Sequence, residues 1–112
     1  MVHGMGLYEE YFEAIKKGKK RVEVRLNDER RRAIKVGDTI EFIGVPDQNE
    51  ILKVKVIELR RYDTFQEMYE DIPFADFDCE NWTMEEMMAG TYEIYSREQE
   101  KAYGTLAITM EY

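Results

Sequence analysis

The 112-residue sequence has little of the residues on which much enzyme and metal chemistry depends. It contains one histidine, His3, and one cysteine, Cys79. A His-based catalytic triad and a zinc site both need more such residues than this, so neither is expected. A lone cysteine forms no internal disulfide, which favours a reducing, cytoplasmic location. The chain also has no apolar run of about 20 residues and no N-terminal pattern of a secretory signal, so no membrane partner is expected.

Motifs for phosphates and for calcium are missing or incomplete. Neither G-x-x-x-x-G-K-[ST] nor G-x-G-x-x-G occurs in the sequence. The stretch DFDCENWTMEEM begins like a calcium loop, with acidic residues at alternate positions. It has Asn81 where the sharp turn needs glycine, and Met87 where the bidentate glutamate belongs. We therefore expect no metal and no cofactor.

The charge of the chain is unevenly distributed. The net charge is −8, but residues 16–35 carry ten basic and three acidic residues, a net +7. Residues 62–112 carry two basic and thirteen acidic residues, a net −11. A net negative protein repels long nucleic acids, so any nucleic-acid binding would be local, and no double-stranded DNA is expected as a partner. Alternatively, the two segments pack side by side and neutralise each other.

The spacing of apolar residues predicts the order helix, strand, strand, strand, helix, helix, strand. His3 lies near a terminus that we expect to be mobile. A helix is predicted over residues 7–18, ending at Gly18. The capping boxes at 64–67 and 83–86 open two later helices, and Gly90 is a candidate break in the second of them. The predicted strands are 20–25, 39–45, 51–62 and 103–112, with a polar loop at 26–38, a turn at 46–50 and an acidic, aromatic loop at 71–82. This pattern indicates one α+β domain over residues 1–112, a small curved sheet or barrel capped by helices.

The strand within GKKRVEVR is the first candidate for a site. Its alternation places Arg21, Glu23 and Arg25 on one face, where guanidinium groups would keep the carboxylate charged. One interpretation is a salt-bridged surface face. The other is a binding site that also includes Lys20.

A binding site would need a second component, and the loop at 71–82 could supply it. Glu80 would add a carboxylate, and the rings of Phe74, Phe77 and Trp82 would stack on a base. Core packing is the alternative role for the two phenylalanines. For Trp82 the alternative is a hydrophobic staple with Met87 at the start of a helix.

The motif in GKKRVEVR is similar to the G-x-K-x-x-E-x-R motif of the ASCH family, the activating-signal-cointegrator homology domains. The matching residues are Gly18, Lys20, Glu23 and Arg25. The opening helix, the segment IKVGD and the closing YGTLAI also resemble the family, so the likeness covers nearly the whole chain. It implies a small PUA-like β-barrel with capping helices and a cleft into which the motif residues project.

The resemblance also implies a function, the binding of RNA or nucleotides. One branch of small bacterial members hydrolyses 4-N-acetylcytidine with a lysine, a threonine nucleophile and a glutamate. Lys20 matches that lysine, and Glu80 matches the glutamate by a loose alignment. Glu23 occupies the threonine position, and an ionised carboxylate is a poorer nucleophile toward an amide than an activated hydroxyl.

Three hypotheses follow for the chain. The first is an RNA- or nucleotide-binding domain in which Lys20, Arg21, Glu23, Arg25 and Trp82 contact the ligand. The second is an amidohydrolase acting on a modified nucleoside, with Lys20, Glu23 and Glu80 as the catalytic groups. The third is a protein-interaction domain without catalysis. The oligomeric state does not follow from the sequence.

Overall fold

The structure is a computed structural model that describes residues 1–46 and 50–112. Its strands are β1 (Val2–Tyr8), β2 (Val22–Leu26), β3 (Thr39–Val45), β4 (Ile51–Tyr62) and β5 (Thr105–Glu111). Its α-helices are α1 (Glu9–Lys16), α2 (Glu29–Arg32), α3 (Phe65–Asp71), α4 (Met84–Ile94) and α5 (Arg97–Tyr103), and Phe74–Phe77 form one turn of 3-10 helix. The turn predicted at 46–50 includes residues 47–49, which lie outside the described residues.

The five strands form one curled sheet in the order β1-β3-β4-β5-β2. The pairing of β1 with β3 is parallel, and the other three pairings are antiparallel. The sheet curls into a half-barrel whose edge strands, β1 and β2, are linked by a hydrogen bond from Arg25 of β2 to the Gly6 carbonyl of β1, 3.0 Å long. The prediction of an α+β barrel-like fold with helices around it is confirmed.

Strand β5 divides the core into two clusters. Leu106, Ile108 and Met110 point into the cluster that contains Phe12 and Ile15 of α1. Ala107 points the other way, into a cluster with residues of α3 and α4. Because both faces of β5 are covered in its first half, Leu106, Ala107 and Ile108 follow one another without a polar residue between them.

The N-terminal segment differs from its prediction. Residues 2–8 form an ordered strand in which Met5 and Leu7 are buried, so the expectation of a mobile terminus is wrong. The Nε2 atom of His3 lies 2.8 Å from the Asp38 carboxylate. This hydrogen bond and those from the Lys35 amide and the N-terminus lower the pKa of Asp38 to about 2.

The helices follow their capping signals. Thr64 and Thr83 cap α3 and α4, and Glu86 completes the capping box of α4 by accepting from the Thr83 amide. The α4 helix continues through Gly90 without the break that the sequence suggested. The polar loop predicted at 26–38 contains the single turn of α2, which Asp28 caps.

Candidate functional site

A cleft of about 900 Å³ opens beside β2. Its walls come from β1, α1, β2, the end of β3, α3, the 3-10 turn and α4. Lys20, Glu23 and Arg25 of the sequence motif all line it. The motif residues therefore face one concave surface.

The end of α1 determines where Lys20 lies. Gly18 adopts the left-handed conformation, with φ of 74°, and the amides of Lys19 and Lys20 both donate to the Ala14 carbonyl. This tight reversal brings Lys20 back beside α1, where its ammonium lies 4.8 Å from the centre of the Tyr11 ring. That distance permits a cation–π interaction.

Glu23 lies between two cations. One carboxylate oxygen is 3.2 Å from Nζ of Lys20. The other accepts from Nη2 and Nε of Arg25 at 2.8 and 3.1 Å. The Glu23 side chain is only 6% exposed, and those of Lys20 and Arg25 are 9% and 15% exposed, so this is a largely desolvated charge network.

The two cations determine the charge of Glu23. Burial by itself would raise the pKa of the carboxyl, but the charges and hydrogen bonds of Lys20 and Arg25 outweigh it and leave the pKa below its ordinary value. Burial lowers the pKa of Arg25, but the charge and hydrogen bond of Glu23, together with Tyr95 and Asp28, raise it by more. The network is therefore ionised at neutral pH, with a carboxylate between two cations.

Aromatic side chains form much of the remaining wall, with Tyr8, Tyr11, Tyr69, Phe77, Trp82 and Tyr95 among them. Burial raises the pKa of Tyr69 to about 12, so its hydroxyl stays protonated. That hydroxyl lies 2.7 Å from Oγ1 of Thr91, which itself donates to the Met87 carbonyl. Trp82 is 47% exposed at the mouth of the cleft, so its ring is available to a ligand.

The mouth of the cleft is acidic. Glu10, Asp78 and Glu93 line it and are exposed. Since Glu23 is already compensated by Lys20 and Arg25, these carboxylates give this side of the cleft a net negative charge. A phosphate would be repelled here, whereas an uncharged ring would not.

Arg21 and Glu80 lie away from this cleft. Arg21 is 56% exposed and forms a salt bridge with Asp76, while its amide donates to the Asp76 carbonyl. It therefore does not flank Glu23. Glu80 is exposed and is absent from the lining of the cleft.

The phenylalanines of the 71–82 loop pack in the second core cluster. Phe77 is buried and meets the Tyr69 ring edge-on at a centroid distance of 5.4 Å. Phe74 packs edge-on against the same ring at 6.4 Å. Core packing is thus the role that the structure gives both rings, although Phe77 also lines the cleft.

Four cleft residues were not predicted from the sequence: Tyr11 of α1, Tyr69 of α3, Thr91 of α4 and Tyr95, which caps the C-terminus of α4. Tyr11 and Tyr69 are separated from the motif by a helix end or by several elements, so no local pattern connects them to it. A usable signal existed only for Tyr11, which precedes the helix end by less than two turns.

No metal site or membrane span is found within residues 1–46 and 50–112. No three His, Cys, Asp or Glu side chains in this part of the chain are arranged to hold an ion. None of its helices has the length and apolar character needed to cross a bilayer.

The thiol of Cys79 lines the cleft. Burial raises its pKa, although the Lys20 charge opposes this, so the thiol is predominantly protonated at neutral pH.

Two solved structures resemble the chain along almost its whole length. The hypothetical protein PH0355, known from a crystal structure, is 43% identical, with a TM-score of 0.87, and the match covers 99% of this chain and 98% of that one. The solution NMR structure of protein PF0455 from Pyrococcus furiosus is 40% identical, with a TM-score of 0.78 and coverage of 99% and 96%. No curated protein matches the chain.

A more distant solved structure shares the fold of the chain, and a family model matches most of its length. The crystal structure of ASCH from Zymomonas mobilis is 15% identical, with a TM-score of 0.56, covering 99% of this chain and 67% of that one, so it shows a shared fold. The family model of the ASCH domain matches residues 5–112. With the motif residues gathered in one cleft and the family model matching from β1 to the C-terminus, the chain belongs to the ASCH domain family.

Proposed function

We propose that the protein binds RNA or a nucleotide by taking up a single base in the cleft. The observation that carries this proposal is the juxtaposition of a buried, ionised Lys20–Glu23–Arg25 network with aromatic walls in one cleft of about 900 Å³. Small-molecule sites commonly combine apolar walls with a few fixed polar groups. A base needs both, because it has flat faces that stack and an edge that carries donors and acceptors.

The polar groups of the network retain hydrogen-bonding capacity. A carboxylate offers about four acceptor positions, and those of Glu23 face Lys20, the Val24 amide and two nitrogens of Arg25. The Lys20 ammonium has three N–H donors and the Arg25 guanidinium has five, more than their contacts with Glu23 and Gly6 use. A ring nitrogen or carbonyl of a base would therefore accept from Lys20 or Arg25. Since the protein holds these groups in place already, little ordering is required on binding.

The charges favour one base over a long strand. The acidic mouth formed by Glu10, Asp78 and Glu93 opposes phosphates on that side of the cleft. The net charge of −8 opposes a polyanion over the whole molecule. A short single-stranded segment or a free nucleotide is therefore the ligand class that we propose.

Trp82 provides a direct test, because it is the only tryptophan and lines the cleft. Titration with ribonucleosides, their monophosphates and short single-stranded RNA at low salt is expected to quench its fluorescence with saturation. Arg25→Ala is expected to weaken binding by at least about tenfold, since a hydrogen bond to a charged group contributes about 1.5–3 kcal/mol. Arg61→Gln serves as the control, because Arg61 is exposed on β4 and absent from the cleft lining.

Saturable quenching that Arg25→Ala leaves unchanged would place the ligand elsewhere. Absence of binding to every one of these probes would overturn the proposal.

An amidohydrolase is the second candidate, favoured by the shared position of Lys20 and Glu23 in the cleft. Glu80 does not line this cleft, so of the three predicted catalytic groups two remain. The assay is release of cytidine from 4-N-acetylcytidine by the wild-type protein and by Glu23→Thr. Release by the wild type would establish the hydrolase, whereas release by Glu23→Thr alone would show a site that binds this nucleoside but lacks the nucleophile.

A further inference from the structure

A cluster of arginine side chains lies where β1 and β2 approach each other, at the side of the cleft that Arg25 and Gly6 line. Arg25 donates to the Gly6 carbonyl at 3.0 Å, and Arg30 of α2 donates to the Gly4 carbonyl at 2.8 Å. Carbonyls two residues apart on a strand point to the same edge and are separated by about 6.6 Å. The two guanidinium groups are therefore anchored side by side along the edge of β1.

Arg31 completes this cluster, and its charge is poorly compensated. Its side chain is 17% exposed, and its only ion-pair partner among the described residues is Asp28, at 3.5 Å from Nη1. Its Nε atom is buried and has no hydrogen-bond partner in the described part of the chain. Burial first and the neighbouring Arg25 charge second lower the pKa of Arg31, although Asp28 opposes them.

The carboxylates that pair with the cluster are already in use, and the exposed Glu29 of α2 forms no ion pair with the described residues. Glu23 binds Lys20 and Arg25, as described above. One oxygen of Asp28 accepts from the Arg31 amide at 3.0 Å as the cap of α2, and the other faces Nη1 of Arg31. A buried N–H donor without a partner, among three guanidinium groups, is an arrangement that an oxyanion would satisfy.

We propose that Arg30 and Arg31, which lie just outside the lining of the cleft, form a phosphate subsite beside Arg25 at its β1–α2 side. It would take the phosphate attached to the base bound in the cleft, so this inference rests on the proposed function. Arg25 belongs to both parts, since it lines the cleft and stands beside Arg30 on the edge of β1. The cleft lining carries Glu10, Asp78 and Glu93, whereas α2 carries arginines, so the charges favour a nucleotide with its phosphate toward α2.

The test compares ligands that differ only in the phosphate. Each of the four ribonucleosides, its 5′- and 3′-monophosphates, and inorganic phosphate alone are titrated into the wild type, Arg31→Gln, Arg31→Lys and the control Arg61→Gln. Affinity is read from Trp82 fluorescence, and contact is read from the Nε–Hε resonance of Arg31 by NMR. Circular dichroism and thermal melting verify that each variant is folded.

One monophosphate is expected to bind at least about tenfold more tightly than its nucleoside, because charge-assisted hydrogen bonds are roughly twice as strong as neutral ones. Arg31→Gln is expected to remove this advantage and to leave the nucleoside affinity unchanged. Arg31→Lys, which keeps the charge but loses the Nε donor, is expected to recover part of it. The Arg31 Nε–Hε resonance should shift with the monophosphate and not with the nucleoside.

Equal affinities for nucleosides and monophosphates would overturn the phosphate subsite and leave base binding standing. A folded Arg31→Gln variant that weakens both ligands equally would also overturn it, since Arg31 would then only shape the cleft. A shift with inorganic phosphate, without binding of any nucleoside or nucleotide, would support the subsite and reject base uptake. No response to any probe would overturn both.

Discussion

Glu23 is the residue on which both the fold and the proposed site depend. Its carboxylate is buried, and Lys20 and Arg25 are largely buried with it. Burying three charges costs solvation free energy, which the mutual attraction and the hydrogen bonds offset only while all partners are present. Replacing the carboxylate therefore leaves two desolvated cations without a counterion.

Glu23→Gln is expected to lower the free energy of unfolding by about 3 kcal/mol, because it breaks a buried ion pair while keeping the shape of the side chain. Urea denaturation at neutral pH measures this loss. Glu58→Gln is the matched control, since the Glu58 side chain is 55% exposed and pairs with Arg60 at 3.6 Å. A surface pair contributes about 0–1 kcal/mol, so equal losses in the two variants would contradict the buried network.

The same comparison has a defined pH dependence. The pKa of Glu23 is lowered from its ordinary 4.5, so the native state favours the ionised form. The stabilisation by Glu23 is thus complete above the unfolded-state pKa and is lost as the pH falls through the native pKa. The difference between wild type and Glu23→Gln should shrink below about pH 4.5, and a constant difference at acidic pH would mean that Glu23 is not charged.

Among the secondary-structure elements, β1 is the one whose contribution to stability most needs an experimental test. It pairs in parallel with β3 in the register Met5↔Phe42 and buries Met5 and Leu7 in the first core cluster. Leu7→Ala is expected to destabilise the protein by about 2–5 kcal/mol, as for other buried leucines. Val2→Ala, on the same strand but 58% exposed, should change stability little. Thermal melts measure both variants. If Leu7→Ala and Val2→Ala both left the melting temperature unchanged, the N-terminal segment would be mobile, as the sequence suggested.

Two strands marked by local sequence signals were predicted with the correct bounds, whereas elements that depend on distant partners were not. The strands β3 and β4 were predicted with the bounds that the structure gives them, because alternation and turn residues mark both. For β1, Gly4 and Gly6 interrupt the apolar pattern, and the parallel partner is more than 30 residues away. Helix α5 was missed because Glu100 is its only buried residue, although Ser96 and Gln99 formed a capping box that the sequence contained.

The site could be predicted only in part. The spacing of Lys20, Glu23 and Arg25 brings them together over a few residues, so the motif was informative. Arg21 was assigned to the same face by alternation, but it precedes β2 and pairs with Asp76 instead. The sequence showed the arginines of α2 only as part of a basic segment. Their position beside β1 depends on the curl of the sheet, which no local pattern predicts.

For the molecule as a whole, the basic segment is not neutralised mainly by the acidic C-terminal half. Among the described ion pairs, Arg21–Asp76 alone joins residues 16–35 to residues 62–112. Lys20, Arg25 and Arg31 pair within the basic segment itself. The positive charge is therefore concentrated around β2 and α2, on a protein whose remaining surface is acidic.

This arrangement predicts how affinity depends on RNA length and salt. A base in the cleft and one phosphate near α2 would meet favourable groups, whereas further phosphates would meet a protein of net charge −8. We expect a mononucleotide, a pentanucleotide and a decanucleotide of one sequence to bind with affinities within a few-fold of each other.

For one or two neutralised phosphates, log K should fall with log salt concentration with a slope of about −0.7 to −1.4. Fluorescence titrations over a salt series measure both quantities, with the nucleoside as a control of near-zero slope. Affinity that rises steadily with length, together with a much steeper slope, would instead indicate an extended track of phosphate contacts and would contradict single-base recognition.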